Sequence, residues 1–572
     1  MIARVKIKMA NIVSETKDKL GKMVIKAFEK AMSLKLLPEV SIRDFTIEVP
    51  ADNKNGDFAT NAALVNAKLF RQPPIKVANT IKDIINLGNS FFERVEVAGP
   101  GFINFFLSDR FYAKALFLVE EEGEKYGRSN FGGNQKVNVE FVSANPTGPM
   151  HMGNARGGAL GDCLAAVLDA AGYDVCREFY INDAGNQIER FGLSLDVRYR
   201  QLFLGSDKVS LPEDCYHGED IIDLAKEYAE KNGDSILNLS DEERRKKLVE
   251  YALPKNIDRM KKDMEKYRIK YDVWFKESKL HENGELRETI ELLKEKGLTY
   301  EKDGALWYKA SELGAAKDEV LIRQNGTPTY FAVDVAYHRN KLKVRNFDRC
   351  INVWGADHHG HVERLKGAVN AIGLNGDAID VVLMQLVHLV KNGEVVKMSK
   401  RTGKAIVLSD LLDEVPIDSA RFFFNLREPN SPVDFDLDLA VQQDSFNPVY
   451  YVQYAHARIK SIKRKLEESG FKDYKCSEED LMILNKPEER ELIRYIANFT
   501  NEIIRAAHNY DPARITRYVI LLANSFHRFY NSYKVKGEDE RLTRARLTLC
   551  MATATVIKNI LSMFKIDAPE AM

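Results

Sequence analysis

The sequence predicts an α/β fold: a central Rossmann-type parallel-sheet domain, an N-terminal α+β domain and a C-terminal all-α helix bundle. Three observations predict it. At 572 residues the chain is too long for one ordinary hydrophobic core. Between about 113 and 440, short apolar runs alternate with helical periods, as strands joined by crossover helices do. From about 441 onward the period is helical throughout. The expected domains are 1–112, 113–440 and 441–572.

The first region opens with a helix whose Ile12, Leu20, Val24, Ala27 and Phe28 fall near one face. β-like runs follow at Phe45–Val49 and Phe102–Leu107, separated by the punctuating Gly99-Pro-Gly101. In the central region Lys136–Val142 is a candidate buried strand. A helix with Leu160, Cys163, Leu164, Val167 and Ala171 on a shared face comes next, and then a strand at Val175–Tyr180. The charge-dense stretch from about 205 to 250, with Arg244-Arg-Lys-Lys247, reads as an insertion with little core. Strands resume at Cys350–Trp354 and Val381–Met384, and Asn392-Gly393 favours a tight hairpin turn. The last region carries Leu492, Ile493, Tyr495, Ile496 and Phe499 in one helical segment, and Val519, Leu522, Phe526 and Phe529 in another.

Hydrophobic residues at 45% and charged residues at 29% describe a soluble, folded protein. Lys plus Arg equals Asp plus Glu at 84 each, so net charge is silent on polyanionic partners. None of the six cysteines forms a Cys-x2-Cys pair, which excludes a zinc knuckle or redox pair of that type and suits a reducing cytosol. No signal-peptide core or membrane-spanning apolar run is present, so a cytoplasmic protein is expected.

Two segments carry the chemistry. In Val139–Asn154 a strand ends, a Pro/Gly loop turns, and His151-Met-Gly-Asn154 leads into a helix. A helix start offers unpaired N–H groups and partial positive charge. Gly153, with Gly157 and Gly158, would let a base or phosphate approach the backbone. His151 and Asn154 could aim hydrogen bonds at the same phosphate oxygens. The ordinary alternative is a structural Pro/Gly turn. The second segment, Val395–Gly403, projects Lys397, Lys400 and Arg401 from a Ser/Gly-containing loop, suited to clamp triphosphate charge or simply to be a solvated basic turn.

The two together, in this order and roughly 245 residues apart, resemble the paired signatures of class I aminoacyl-tRNA synthetases. Asn154 stands where the usual motif ends in His, so this position can donate but not neutralise. The surroundings resemble the arginyl family: Glu140–Pro149, Tyr271–Ser278, Thr329–His338, Trp354–His361, Asn447–Arg458 and Asp567–Met572. Gly56–Asn61 and Gly99–Asn104 resemble that family's extra N-terminal domain.

The resemblance implies ATP at Pro149, His151, Gly153, Asn154, Gly157, His361, Met398, Ser399 and Lys400, with His151, Asn154, Lys397 and Lys400 catalytic. It implies arginine at Glu140, Asn145, Glu277, Tyr330, Asp334 and Asp357, with Glu140 and Asn145 on the α-amino and carboxylate groups. A guanidinium fork suits carboxylates that accept in pairs, as Glu277 and Asp334 can. Tyr454, Arg458 and Met572 are the implied tRNA contacts in a DALR-type anticodon-binding domain, while the N-terminal domain would touch the tRNA elbow. Mg²⁺ would accompany ATP, tRNA-Arg would be the partner, and the family suggests a monomer. His358, His359 and His361 read as a helix start at the ATP pocket; no cysteine or second histidine cluster supports zinc. Two rivals remain open here. One is another class I type (glutamyl, glutaminyl or cysteinyl); the other is a catalytically silent tRNA-binding scaffold.

Overall fold

The computed structural model describes residues 11–50, 52–315, 317–396, 406–471, 475–537 and 539–572. Lys397, Met398, Ser399 and Lys400 of the second signature therefore lie outside the described residues.

The N-terminal region is α+β, as expected. Its first helix, Ile12–Ser33, starts where Asn11 Oδ1 accepts the Ser14 N–H at 3.0 Å, and it buries Leu20, Val24 and Phe28. A four-stranded antiparallel sheet follows in the order Ile47–Glu48, Phe58–Thr60, Phe102–Leu107, Phe92–Ala98. The expected strand at Phe45–Val49 thus shrinks to two residues. Gly101 turns the last hairpin at φ +134°, where a Cβ would sit 2.9 Å from the Pro74 Cβ.

The central domain is built on five parallel strands: β1 (Lys136–Glu140), β2 (Asp174–Ile181), β3 (Val273–Lys276), β4 (Arg349–Gly355) and β5 (Ile379–Met384). Their spatial order is β3-β2-β1-β4-β5. The chain first builds outward from β1 on one side and then on the other, so a crevice opens between the carboxyl ends of β1 and β4. Glu140, Asn182, Glu277 and Asp357 all stand at or just after strand ends. β1 stops two residues earlier than predicted because Val142 and Ser143 adopt φ of +74° and +42°, incompatible with a pleated strand.

Helix α1 (Met152–Ala170) follows β1 and is buried on nearly every side, a wider burial than one apolar face would need. The expectation that the insertion carries little core is overturned. Helices α2 (Asn186–Leu204), α3 (Glu219–Asn232) and α4 (Asp241–Lys266) enclose a cluster of their own that includes Phe191, Leu195, Tyr199, Ile221, Leu224 and Leu248. Arg244, the first residue of the basic run, is itself buried, paired with Asp196 of α2.

Helix α5 (Tyr330–Arg339) continues into one turn of π-helix, Asn340–Val344, and helix α6 (His359–Ala371) follows β4. Beyond β5, Val387–Lys391 and Glu394–Val396 form the predicted hairpin, with Asn392 and Gly393 at φ +53° and +76°. The C-terminal region is helical. Its long helices include α7 (Pro448–Glu468), Pro487–His508, α8 (Ala513–Ser532) and Glu540–Met563.

Candidate active site

His151 caps α1 from an extended conformation, and its side chain is exposed at the crevice. The His151 N–H donates to Asn154 Oδ1 at 3.0 Å. The Asn154 carbonyl oxygen is thus committed to closing the helix start, leaving its amide NH₂ group as the donor for a ligand. Desolvation lowers the His151 pKa, so the ring is a neutral donor at physiological pH. At Gly153 a Cβ would meet only the His151 ring, at 3.4 Å. Gly157 faces Met384 at the end of β5, while a Cβ on Gly158 would sit 2.8 Å from Ile269 Cδ1. Gly158 therefore serves helix packing and not ligand approach.

In front of this helix start lies a cavity of about 310 Å³ bordered by Asn145, Pro149, His151 and Asn154. Its outer wall comes from the insertion, through Tyr216, His217 and Asp220. Burial raises the Asp220 pKa. These three wall residues were not anticipated, because their stretch reads as solvated surface.

The segment following the second signature returns to the same place. Val407 forms an isolated antiparallel bridge with His151, and the Leu408 N–H donates to the Met150 carbonyl at 2.8 Å. Arg156, fully buried on α1, fixes the approach to that signature. Its guanidinium donates to the main-chain oxygens of Gln385 (2.6 Å), Leu386 (3.5 Å), Glu428 (3.1 Å), Pro429 (3.3 Å) and Ser431 (2.8 Å). With no carboxylate partner among the described residues, burial depresses its pKa to about 10.

Across the crevice the expected arginine-binding acids come together. Glu277 is buried at the end of β3, and Tyr180 Oη donates to its Oε2 at 2.8 Å. The Asn182 amide, in its bonded orientation, donates to the same oxygen at 3.0 Å and meets the Asn145 amide at 3.2 Å. Tyr330 is half-exposed beside Asn182. Burial and then the charges of Glu277 and Asp334 push the Tyr180 pKa well up. Asp334 Oδ2 is 2.8 Å from His361 Nε2, so His361, which the resemblance assigns to ATP, also contacts an acid expected to bind arginine. Asp357 is exposed on a turn after β4, with His358 Nε2 3.7 Å away.

Glu140 is buried and already engaged. Lys341 Nζ lies 2.5 Å from its Oε2, and Ser143 Oγ donates to its Oε1 at 2.8 Å. Asn182 could have been found from the strand-end rule, since it follows β2 directly. Lys341 has no such signal, being one lysine among many in a helical stretch.

In the C-terminal region a second cavity, of about 370 Å³, is lined by Tyr450, Tyr451, Tyr454, Arg458 and His527 among others. The Arg458 guanidinium donates to Tyr454 Oη at 2.9 Å and stacks 4.8 Å from the Tyr454 ring and 5.0 Å from the Tyr530 ring. Burial, reinforced by Arg458, lowers the His527 pKa to about 4. Met572 is exposed and does not border this cavity.

A crevice at the switch point of a parallel sheet, fronted by a His-x-Gly-Asn helix start, is the architecture of class I aminoacyl-tRNA synthetases. The family model "tRNA synthetases class I (R), catalytic domain" matches residues 117–461. "Arginyl tRNA synthetase N terminal domain" matches 16–107, and "DALR anticodon binding domain" matches 452–572. The arginine–tRNA ligases of Acetivibrio thermocellus and Caldanaerobacter subterraneus are 55% and 56% identical over 564 residues, covering 99% of this chain and 100% of each relative. The Thermus thermophilus arginyl-tRNA synthetase structure shares the fold, with a TM-score of 0.71 at 23% identity over 97% of this chain and 100% of that one. The chain belongs to the arginyl-tRNA synthetase family.

Proposed function

We propose that this arginine–tRNA ligase performs both of its reactions in the crevice between His151 and the acids Glu277 and Asp334. In the first, the arginine carboxylate attacks the α-phosphorus of ATP, the bond to the β-phosphate oxygen breaks, and pyrophosphate leaves. The nucleophile is already an anion, so catalysis is positioning plus charge stabilisation. His151, the Asn154 amide and the α1 N-terminus donate to the α-phosphate oxygens, and Lys397 and Lys400 close on the departing pyrophosphate. Mg²⁺, bound with ATP, would neutralise triphosphate charge. Among the described residues no group of three or more Asp, Glu, His or Cys side chains is placed to hold a metal ion. In the second reaction a ribose hydroxyl of the terminal adenosine, the 2′ group by class I resemblance, attacks the carbonyl and AMP departs.

The observation that carries this reading is a buried and a half-buried acid at one crevice, each already held by one protein group, Glu277 by Tyr180 and Asp334 by His361. Carboxylates fixed in this way accept a planar fork of donors in pairs. Lysine would leave acceptors unpaired, and sites of this type reject such analogues by about 10⁴–10⁵.

The reading extends to domain roles. The region to about 112 would touch the tRNA elbow, 113–440 carries the chemistry, and 441–572 reads the anticodon arm. Tyr454 and Arg458 are suited to stack and bond an unstacked base, supported by the open aromatic cavity they border. Met572 would add a contact from the exposed end of the described chain. Among the described residues no helix is long and apolar enough to cross a membrane. We place the enzyme in the cytoplasm as a monomer. Arginine-dependent ATP–pyrophosphate exchange, run with and without tRNA-Arg, tests the reading. Exchange with arginine and none with lysine or glutamate supports it; no exchange with any amino acid overturns it.

A further inference from the structure

We infer that Lys341 is a positioning residue of the arginine site, although it lies too deep to touch solvent. Its side chain is fully buried in the π-turn that ends α5. π-Turns inside helices recur where a side chain must be re-aimed. Here the turn delivers an ammonium group that meets two hydrogen-bond acceptors and the face of an aromatic ring. Nζ is 2.5 Å from Glu140 Oε2, donates to Asn352 Oδ1 at 3.0 Å, and lies 4.2 Å from the Tyr337 ring centroid. The network then continues. Asn352 Nδ2 donates to His338 Nε2 at 2.9 Å, and His338 Nδ1–H donates to the Asp334 carbonyl at 2.8 Å. Burial lowers the His338 pKa, which keeps the ring neutral and fixes the tautomer these bonds require.

One lysine thus links Glu140, at the end of β1, to the backbone of Asp334, one turn into α5. On the reading proposed above, these are opposite ends of the bound amino acid: the acceptor for the α-amino group and an acceptor for the guanidinium. A carboxylate offers about four lone-pair sites. Lys341 and Ser143 fill two of them in Glu140, leaving two for substrate. Lys341 also neutralises Glu140. Of Glu140, Glu277 and Asp334, only the last two then remain without a lysine or arginine partner among the described residues, so of these three the stronger acidity lies at the fork end. An ammonium and a guanidinium on the same small molecule are thereby told apart by position. Stability alone does not explain such a pair, since buried ion pairs are often replaceable by apolar residues at little cost.

The test is a double-mutant cycle of Lys341→Met and Glu140→Gln, with Asp334→Asn as an independent control. The readouts are the arginine KM, the ATP KM, kcat and thermal midpoint. If Lys341 acts through Glu140, each single variant and the double raise the arginine KM by a similar factor of ten or more. The ATP KM then stays within twofold. Arginine KM values within twofold of wild type in folded Lys341→Met, or effects of the two substitutions that multiply, overturn the inference. Should Lys341→Met alone not fold, the comparison of the neutral double variant with Glu140→Gln decides. Equal arginine KM values support the role; a further rise in the double overturns it. If Asp334→Asn also leaves the arginine KM unchanged, the pocket itself is misassigned and this inference falls with it.

Discussion

The main chain of His151 pairs with that of Val407 in an isolated antiparallel bridge. The residue that begins the phosphate-facing helix is therefore joined to Val407, seven residues beyond Lys400 and next to Ile406, where the described structure resumes. The first signature and the described chain that follows the second thus meet at one spot.

Removing the His151 ring should reveal that grip. His151→Ala should slow arginine activation by about 10²–10³, the usual consequence of deleting a donor to developing charge. Lys400→Ala should do the same, and tRNA affinity should stay nearly unchanged in both. Pre-steady-state adenylate formation, compared with a tRNA filter-binding assay, separates the two quantities. A wild-type activation rate in either variant removes that residue from the mechanism.

Tyr180 fixes Glu277 by a hydrogen bond from its hydroxyl. Tyr180→Phe deletes one hydrogen bond to a buried carboxylate, worth roughly 1.5–3 kcal/mol when the acceptor is charged. The arginine KM should rise about tenfold or more while the ATP KM holds. An unchanged arginine KM would separate Glu277 from the guanidinium.

Arg156→Met should destabilise the protein and weaken ATP binding together. Several buried carbonyls would lose their donor, at about 1 kcal/mol or more each. Thermal unfolding and the ATP KM are the measurements. A lower melting temperature with an unaltered ATP KM would confine Arg156 to a stabilising role.

His338 makes stability depend on pH with a definite sign. Burial lowers its pKa from 6.5 to about 4, so between these values the unfolded chain binds a proton that the folded one does not. Its contribution is complete above pH 6.5 and is lost as pH falls toward 4, on the order of 3 kcal/mol in all. Melting temperatures should drop through that window, and less steeply in His338→Gln. The same slope in the variant would assign the effect to another group.

Sequence legibility followed the range of the interaction. The strand at Val175–Tyr180, the Asn392-Gly393 turn and the His-x-Gly-Asn helix start rest on neighbours a few residues apart, and each emerged where expected. The early end of β1 did not, because the left-handed backbone of Val142 contradicts that residue's local preference for a strand. Nor did the core of the insertion, since burial of Arg244 depends on Asp196, 48 residues earlier. Glu277 and Asp334 were legible as candidates from their aromatic surroundings. Their fixing groups were not, because Tyr180 is 97 residues from Glu277 and Lys341 is 201 from Glu140.

The tether made by Arg156 has a consequence for how this protein tolerates change. A guanidinium that grips only carbonyl oxygens of the main chain does not read side chains. Positions 385, 386, 428, 429 and 431 can exchange identities freely so far as that tether is concerned, provided the backbone keeps its path. The whole mutational burden falls on one codon. A saturation screen would register this as a lopsided pattern: intolerance at 156, facing five permissive sites that hold the other end of the same bonds.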